Sequence, residues 1–436
     1  MSCTSVLILF MYFSTSKTHF CPISMSENNS QYTSDAYCTP PPHLAYSLSF
    51  FSLLTFKLVA DMTYPIIAPE NSVLSFDFDY EVPGDATGTV IMPYEVVPHI
   101  NDVMPISRRL AAEFSRGKRS VKLIMSHSGR LSVSTVHFYK ITLFKLINNY
   151  EIAVKYASRL VKHLAMLHIH DKIVGQLLDS PITMAIRGFY IIQFPLWKLG
   201  YLLDETWVEE DILNAMAELV YFKAAAGEIQ LKTAPSFLFL PTQFFTDARF
   251  LYHQVPQVYS PKIHALRHRL QLTSVSAIGF LIGCNDHFTS AWISNPTCIE
   301  HGDSLAHPPV NDLLQISQWV FADIKKISLT IIRSVEVALQ ASEGPGSGSC
   351  AISSHNFIEC RINPLTPQWE SSASPQFRDS ALRDLILFHD IAVYMQTLFE
   401  NSTIPCIPFS STVSAMDFCG YNDYNNYQPL VHFTLT

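Results

Sequence analysis

Hydrophobic and polar positions follow a regular pattern mainly in the second half of the chain. Beyond Gly200, segments with apolar residues at helical spacing alternate with short apolar runs that are typical of buried or half-buried strands. Helices that cover a few strands indicate an α+β domain, which we place at residues 196–400. We predict helices over 204–226, 310–325, a stretch beginning at Cys350, and 376–399, and strands over 237–241, 276–284, 287–294, 297–303 and 330–339.

The pattern is weaker before this domain. Residues 1–63 are rich in Ser, Thr and Phe and keep neither a helical nor a strand period, so we expect them to be disordered or to lie outside any domain. Residues 64–195 are predicted to form an N-terminal region of unknown fold, with a long amphipathic helix near 151–178. Residues 401–436 are expected to be a C-terminal tail.

Composition narrows the function classes. The net charge of −8 lacks the basic excess of a nucleic-acid-binding protein. The nine cysteines include no Cys-x-x-Cys pair, so we expect neither a disulfide framework nor a zinc knuckle. Free cysteines are typical of a reducing compartment, and we therefore expect an intracellular protein of the nucleus or cytoplasm. The apolar run at 5–13 lacks the basic flank and the cleavage site of a signal peptide. The run at 44–60 is shorter than a membrane-spanning helix, so no membrane association is expected. The oligomeric state stays open.

Histidines near the end of the predicted long helix suggest a metal site at first sight. His163 and His170 share a helical face, but His168 does not align with them, and Asp171 follows directly. Histidines that cap a helix or face solvent are the better interpretation. We therefore predict no metal site and no cofactor.

The strongest candidate for chemistry is Cys350, in "GPGSGSCAISSHNFIEC" (344–360). A flexible Gly/Ser run ends at this residue and a helical pattern begins. A thiol in the first turn of a helix faces backbone N–H groups and the positive end of the dipole, both of which favour the thiolate. A loop cysteine without a role would look the same, so partners are needed.

Two partners lie upstream of the cysteine. A nucleophilic cysteine needs a base and a third group that orients the base. His287 opens one predicted strand and Asp303 ends the next, so adjacent strands can bring the two side chains together. Taken alone, His287 would be interpreted as a turn histidine and Asp303 as a capping carboxylate.

These segments, in this order, resemble the ubiquitin-like-protein-specific (SUMO-deconjugating, Ulp-type) cysteine proteases. The family pattern is similar to "WVEEDILN" (207–214), "FLFLPTQFF" (237–245), "FLIGCNDHFTSAWI" around His287, "CIEHGDSL" around Asp303, and "QASEGPGSGSCAISS" around Cys350. "PLTPQW" (364–369) also suits the family. The resemblance covers roughly residues 200–400.

The resemblance implies a papain-like cysteine protease fold and a thiol peptidase or isopeptidase that cleaves after the diglycine end of a ubiquitin-like modifier. The partners would be that modifier or its protein conjugates. The implied roles are Cys350 as nucleophile, His287 as base, Asp303 as orienting group, Gln340 as oxyanion donor, and Trp207 and Phe288 as substrate-binding residues.

Other interpretations remain open at this point. Ala351 stands where the family has Gly, and Gln340 lies ten residues before the cysteine instead of about six. Both departures suit a modifier-binding module of the same fold with weak or no turnover. "GDSL" (302–305) is also the signature of a serine hydrolase family, with Ser304 as nucleophile, but it lies too far along the chain. The resemblance could also be fortuitous, in an ordinary α+β interaction domain.

Overall fold

The computed structural model describes residues 66–401, with gaps at 84–90, 92–94, 190–191, 206, 226–235, 255–259, 273–274, 285, 323 and 325. The expectations for residues 1–63, for the two N-terminal apolar runs and for the tail beyond residue 401 lie outside the described residues. None of the described helices combines the length and apolarity that a membrane span needs.

The first part of the described chain builds a small sheet and two helices. Its antiparallel sheet has the strand order β2–β4–β5, and two short strands, β1 and β3, pair in parallel nearby. Val103 and Ile106 of the first helix and Phe144 of the second are buried against it, which forms one hydrophobic core. The elements are β1 (Ile66–Ile67), β2 (Val73–Asp79), β3 (Val96–Val97), α1 (Ile100–Ser115), β4 (Ser120–His127), β5 (Arg130–His137) and α2 (Phe138–His163).

The second part is a mixed sheet of five strands with helices on both faces. The strand order is β10–β9–β8–β7–β6; β7/β8 and β8/β9 are antiparallel, and β6/β7 and β9/β10 are parallel. The elements are α3 (Asp171–Asp179), α4 (Glu210–Ala225), β6 (Ser236–Leu240), α5 (Gln243–Gln254), α6 (Pro261–Leu272), β7 (Val275–Cys284), β8 (His287–Asn295), β9 (Cys298–Gly302), α7 (Leu313–Val320), β10 (Ile331–Ser334), α8 (Cys350–Ile362) and α9 (Ser374–Asn401).

Both faces of this sheet are buried, which explains the nearly continuous apolar runs in its central strands. Successive residues of a strand point to opposite faces. Leu281 of β7 therefore joins the core under α8, while its neighbours Phe280 and Ile282 join the core under α5, α6 and α7. The α+β prediction for this region is consistent with the mixed α/β architecture.

Helix α2 connects the two parts. Its first half packs in the N-terminal core, whereas Ala153, Ala157 and Leu160 pack in the core shared with α4, α8 and α9. Residues 153–194 also contribute Ile182 and Phe194 to that second core. The core thus crosses the boundary predicted at residues 195/196.

Four predicted elements differ from the structure. The helix predicted at 204–226 begins only at Glu210, as α4. The predicted helix near 151–178 is two helices: α2 begins earlier and ends at His163, and α3 begins at Asp171. The break follows a 3-10 turn and includes His168 in a left-handed conformation (φ 52°). The helix predicted at 310–325 is shorter (α7), and the strand predicted at 330–339 pairs only over β10.

Candidate active site

Cys350 is the first residue of α8, a helix that lies buried against the sheet. The Ser349 carbonyl accepts the first helical hydrogen bond, from the Ser353 N–H at 2.9 Å. The preceding loop turns tightly at Gly344 (φ 73°) and Gly346 (φ 87°), where a Cβ on Gly346 would overlap Ser371. Glycine is required there because both the conformation and the close approach exclude a side chain.

Strand β8 holds this helix in register. The Ser354 hydroxyl in α8 donates to the Phe288 carbonyl in β8 at 2.9 Å. Gly302, at the end of β9, leaves room for the ring of Phe357, which a Cβ would approach to 2.5 Å. The helix is therefore held against the two strands whose ends carry His287 and Asp303.

His287 and Asp303 are brought together by the pairing of β8 with β9. His287 is the first residue of β8, and Asp303 directly follows β9. The His287 Nε2 and Asp303 Oδ1 atoms lie 2.7 Å apart, and the Asp303 side chain is only 2% exposed. The Leu305 N–H also donates to Asp303 Oδ1 at 2.7 Å. The carboxylate is thereby fixed, and it fixes the ring.

Cys350 interacts with the same ring, because hydrogen bonding to Cys350 and its charge both raise the pKa of His287. Asp303 takes Nε2, which leaves the other ring nitrogen to serve Cys350. Burial alone would lower the pKa of His287, but the hydrogen bonds to Asp303 and Cys350 raise the pKa from its usual 6.5 to about 9. Burial would raise the pKa of Asp303, but the His287 and Leu305 hydrogen bonds hold that pKa below its usual value. The arrangement favours an imidazolium held between the carboxylate and Cys350.

The predicted substrate-binding aromatics form a pair next to His287, which Phe288 directly follows in β8. The rings of Trp207 and Phe288 stack with centroids 4.6 Å apart and an angle of 25°. Trp207 is 37% exposed, whereas Phe288 is only 1% exposed. Phe288 therefore supports the indole from below, and the expectation that Phe288 itself faces a substrate is not met in this conformation.

Gln340 lies beside Ser304, the residue after Asp303. Its backbone N–H donates to the Ser304 carbonyl at 2.9 Å, and its Oε1 accepts from the Ser304 hydroxyl at 3.3 Å. The chain then makes consecutive bends and turns over 342–348 before Cys350. The extra residues between Gln340 and Cys350 are thus accommodated in a loop.

A buried network beneath the start of α8 was missed in the sequence. Arg378 of α9 is 2% exposed and donates to the Gly348 carbonyl at 2.9 Å and to the Ser349 hydroxyl at 3.1 Å. Glu205 lies 3.4 Å from the guanidinium and accepts from Ser349 at 2.7 Å and from Ser374 at 3.1 Å. The network holds the residue that precedes Cys350. A charged residue in an otherwise apolar helical stripe was the only signal available.

His307 was also missed, although it lies only four residues after Asp303. Its ring is edge-on to the His287 ring at 5.5 Å, and its Nδ1 lies 3.8 Å from Asp303 Oδ2. Within the described part of the chain, His287, Asp303 and His307 are the only group of three or more metal-ligating side chains close enough to hold one ion. Of the histidines set aside in the sequence, His170 caps α3 as predicted, whereas His163 is partly buried and pairs with Asp379.

No family model matches the chain, and no curated protein sequence matches it. Its structural neighbours are Ulp1-type SUMO proteases. The Ulp1 protease domain in complex with Smt3, the yeast ortholog of SUMO, is 14% identical with a TM-score of 0.38, over 50% of this chain and 94% of that one. The Chaetomium thermophilum Ulp1-like SUMO protease catalytic domain is 14% identical with a TM-score of 0.37, over 50% and 90%. The likeness assigns no activity to this chain.

Proposed function

We propose that this chain is a cysteine peptidase or isopeptidase with a papain-like domain, which cleaves after the diglycine end of a ubiquitin-like modifier. The observation that carries the proposal is the chain of contacts from Cys350 to His287 to Asp303, with the cysteine at the start of a buried helix. A nucleophile, a base within hydrogen-bond reach and an orienting carboxylate are the three parts that acyl transfer by a thiol requires.

The roles follow from the contacts. Cys350 gives its proton to His287, and its sulfur attacks the scissile carbonyl to form a tetrahedral intermediate. His287 returns the proton to the leaving amine, which departs and leaves a thioester; a water molecule activated by His287 then releases the modifier. Asp303 keeps the ring in place and stabilises the imidazolium. Backbone N–H groups at the start of α8, with Gln340, would stabilise the oxyanion.

The diglycine specificity is supported by the aromatic pair. Trp207 presents an indole face beside the strand that carries His287, with Phe288 beneath it. A main chain without side chains can lie flat against such a face, whereas a larger residue would clash. A SUMO-like modifier is our first choice, since one structural neighbour was solved in complex with the yeast ortholog of SUMO.

A modifier-binding module is the second candidate. Ala351 replaces the glycine of the resembled family, and the Gln340 side chain is engaged by the Ser304 hydroxyl, which donates to Oε1 at 3.3 Å. If this contact takes the Gln340 amide out of the oxyanion site, modifier recognition stays intact and the chemistry slows by about 100-fold or more.

The test is labelling by a ubiquitin-like modifier that carries an electrophile at its C-terminus. We expect the wild type to be labelled and Cys350→Ala to remain unlabelled. Cys360, in the same helix, is the matched control: burial and the nearby Glu359 raise the pKa of its thiol to about 11, so Cys360→Ala should be labelled like the wild type.

Three outcomes are distinct. Label that persists in Cys350→Ala refutes the peptidase. A wild type that binds a modifier reversibly, but neither reacts with it nor cleaves it, favours the binding module. A wild type that neither binds nor cleaves any modifier of a panel refutes both candidates.

A further inference from the structure

We propose that His287, Asp303 and His307 form a binding site for a single Zn²⁺ ion, which inhibits the site described above when bound. The inhibitory part of this inference rests on the proposed function, whereas the binding part does not. Each residue offers one ligand atom, and these atoms all lie within 4.8 Å of one another. Tetrahedral Zn²⁺ holds N and O ligands at about 2.0–2.2 Å, which puts them about 3.4 Å apart. The most distant ligand atoms would approach each other by at most about 1.5 Å, and the His287 Nε2–Asp303 Oδ1 pair, now 2.7 Å apart, would open by about 0.7 Å.

An unpartnered buried atom points to a ligand at the same place. Asp303 Oδ1 accepts hydrogen bonds from His287 and Leu305, but Oδ2 is buried and has no hydrogen-bond partner among the described residues. A buried acceptor without a donor is unfavourable, because it has lost its hydrogen bonds to water. The atom on its open side is His307 Nδ1, at 3.8 Å, which is too far for a hydrogen bond. A cation between these two atoms would satisfy both.

The donor set suits zinc. Two imidazoles and one carboxylate give three protein ligands and leave a fourth position for water, and imidazole ligands favour Zn²⁺ over Ca²⁺ or Mg²⁺. The His307 side chain is 61% exposed, so an ion can reach the site from solvent and the ring can move toward it. The other two ligands are buried and already adjacent to each other.

Bound zinc would oppose the chemistry of His287. The ion takes the place of the proton that His287 Nε2 shares with Asp303, and this proton leaves to solvent. A divalent cation then stands where a carboxylate had stabilised the imidazolium. The neutral zinc-bound imidazole keeps its remaining proton on the nitrogen that faces Cys350, so the ring has no free nitrogen to accept the thiol proton and is a weaker acid toward the leaving amine than an imidazolium.

Binding is measured directly, by calorimetric titration of Zn²⁺ into the full chain and by the visible absorption of Co²⁺ as a substitute ion. We expect His307→Ala and Asp303→Asn each to weaken the Zn²⁺ affinity of this site by about 100-fold. This is the upper end of the loss seen when a residue that only supports a metal ligand is removed. His307 is exposed, so its removal should not unfold the protein. His268→Ala, which removes an exposed histidine from α6, is the matched control and should bind like the wild type.

Activity is the second readout. Each variant's cleavage rate with Zn²⁺ is compared with its own rate in EDTA, and we expect reversible inhibition in the wild type and in His268→Ala but not in His307→Ala. Equal Zn²⁺ affinity in His307→Ala and the wild type would overturn the site. Binding that depends on His307 in a protein that cleaves nothing would support the site and refute the proposed function. Full occupancy without inhibition in an active protein would overturn the regulatory part.

Discussion

Replacing Arg378 by Met should both destabilise the protein and disturb the start of α8. The guanidinium is 2% exposed and faces Glu205, Ser349 and the Gly348 carbonyl, so its removal leaves Glu205 in a largely buried position without its cation. Breaking one side of a buried ion pair destabilises a protein by about 3–5 kcal/mol. Because Glu205 is partly exposed (22%) and keeps its two serine donors, we expect the lower end, about 3 kcal/mol.

The assay is urea unfolding of the full chain, followed by tryptophan fluorescence. Arg383→Met is the matched control, since Arg383 lies in the same helix with a 47% exposed side chain; exposed pairs contribute about 0–1 kcal/mol. Combining Arg378→Met with Glu205→Gln should recover about 1 kcal/mol, because no unpaired charge remains. Electrophile labelling should also slow by about 100-fold in Arg378→Met, since a shift of about 1 Å at a catalytic group has effects of this size. If Arg378→Met loses no more stability than Arg383→Met, the network does not hold the helix start, and this reasoning is refuted.

Three further predictions concern the site. Gln340→Ala should lower the turnover number by about 100-fold while electrophile labelling of Cys350 continues, because an oxyanion donor stabilises the intermediate and not the thiolate; equal turnover would remove Gln340 from the mechanism. The pKa of His287 is raised from 6.5 to about 9 in the folded state, so protonated His287 should stabilise the fold fully below pH 6.5. This stabilisation should be lost progressively as the pH rises to about 9. Urea midpoints of the wild type and of His287→Gln across this pH range measure the loss. Gly302→Ala should destabilise by about 1–3 kcal/mol, because its Cβ would meet the Phe357 ring at 2.5 Å; an unchanged urea midpoint would mean that the ring yields without strain.

The hydrophobic pattern of a segment predicted its secondary structure well where most of the segment is buried. The strands β6 to β9 match their sequence predictions closely, because apolar runs of strand length fit a sheet that is covered on both faces. The helix break between α2 and α3 was missed, because 151–178 keeps its amphipathic spacing through the break. Spacing reports which side of a helix is buried, not where the neighbouring helices make the chain turn.

By itself, the sequence predicted the strands β6 to β9, the helix that begins at Cys350, and the meeting of His287 with Asp303, because these depend on local periodicity and on the pairing of adjacent strands. It did not predict α5 and α6. Only the tertiary structure decided how Glu205 and Arg378 meet below Cys350, that Phe288 lies beneath Trp207, and that His307 faces the open oxygen of Asp303. Glu205 and Arg378 are far apart in sequence, and a charged residue in a sequence pattern is normally interpreted as solvated. Their burial follows from packing between α9 and the chain before α4, which no local pattern encodes.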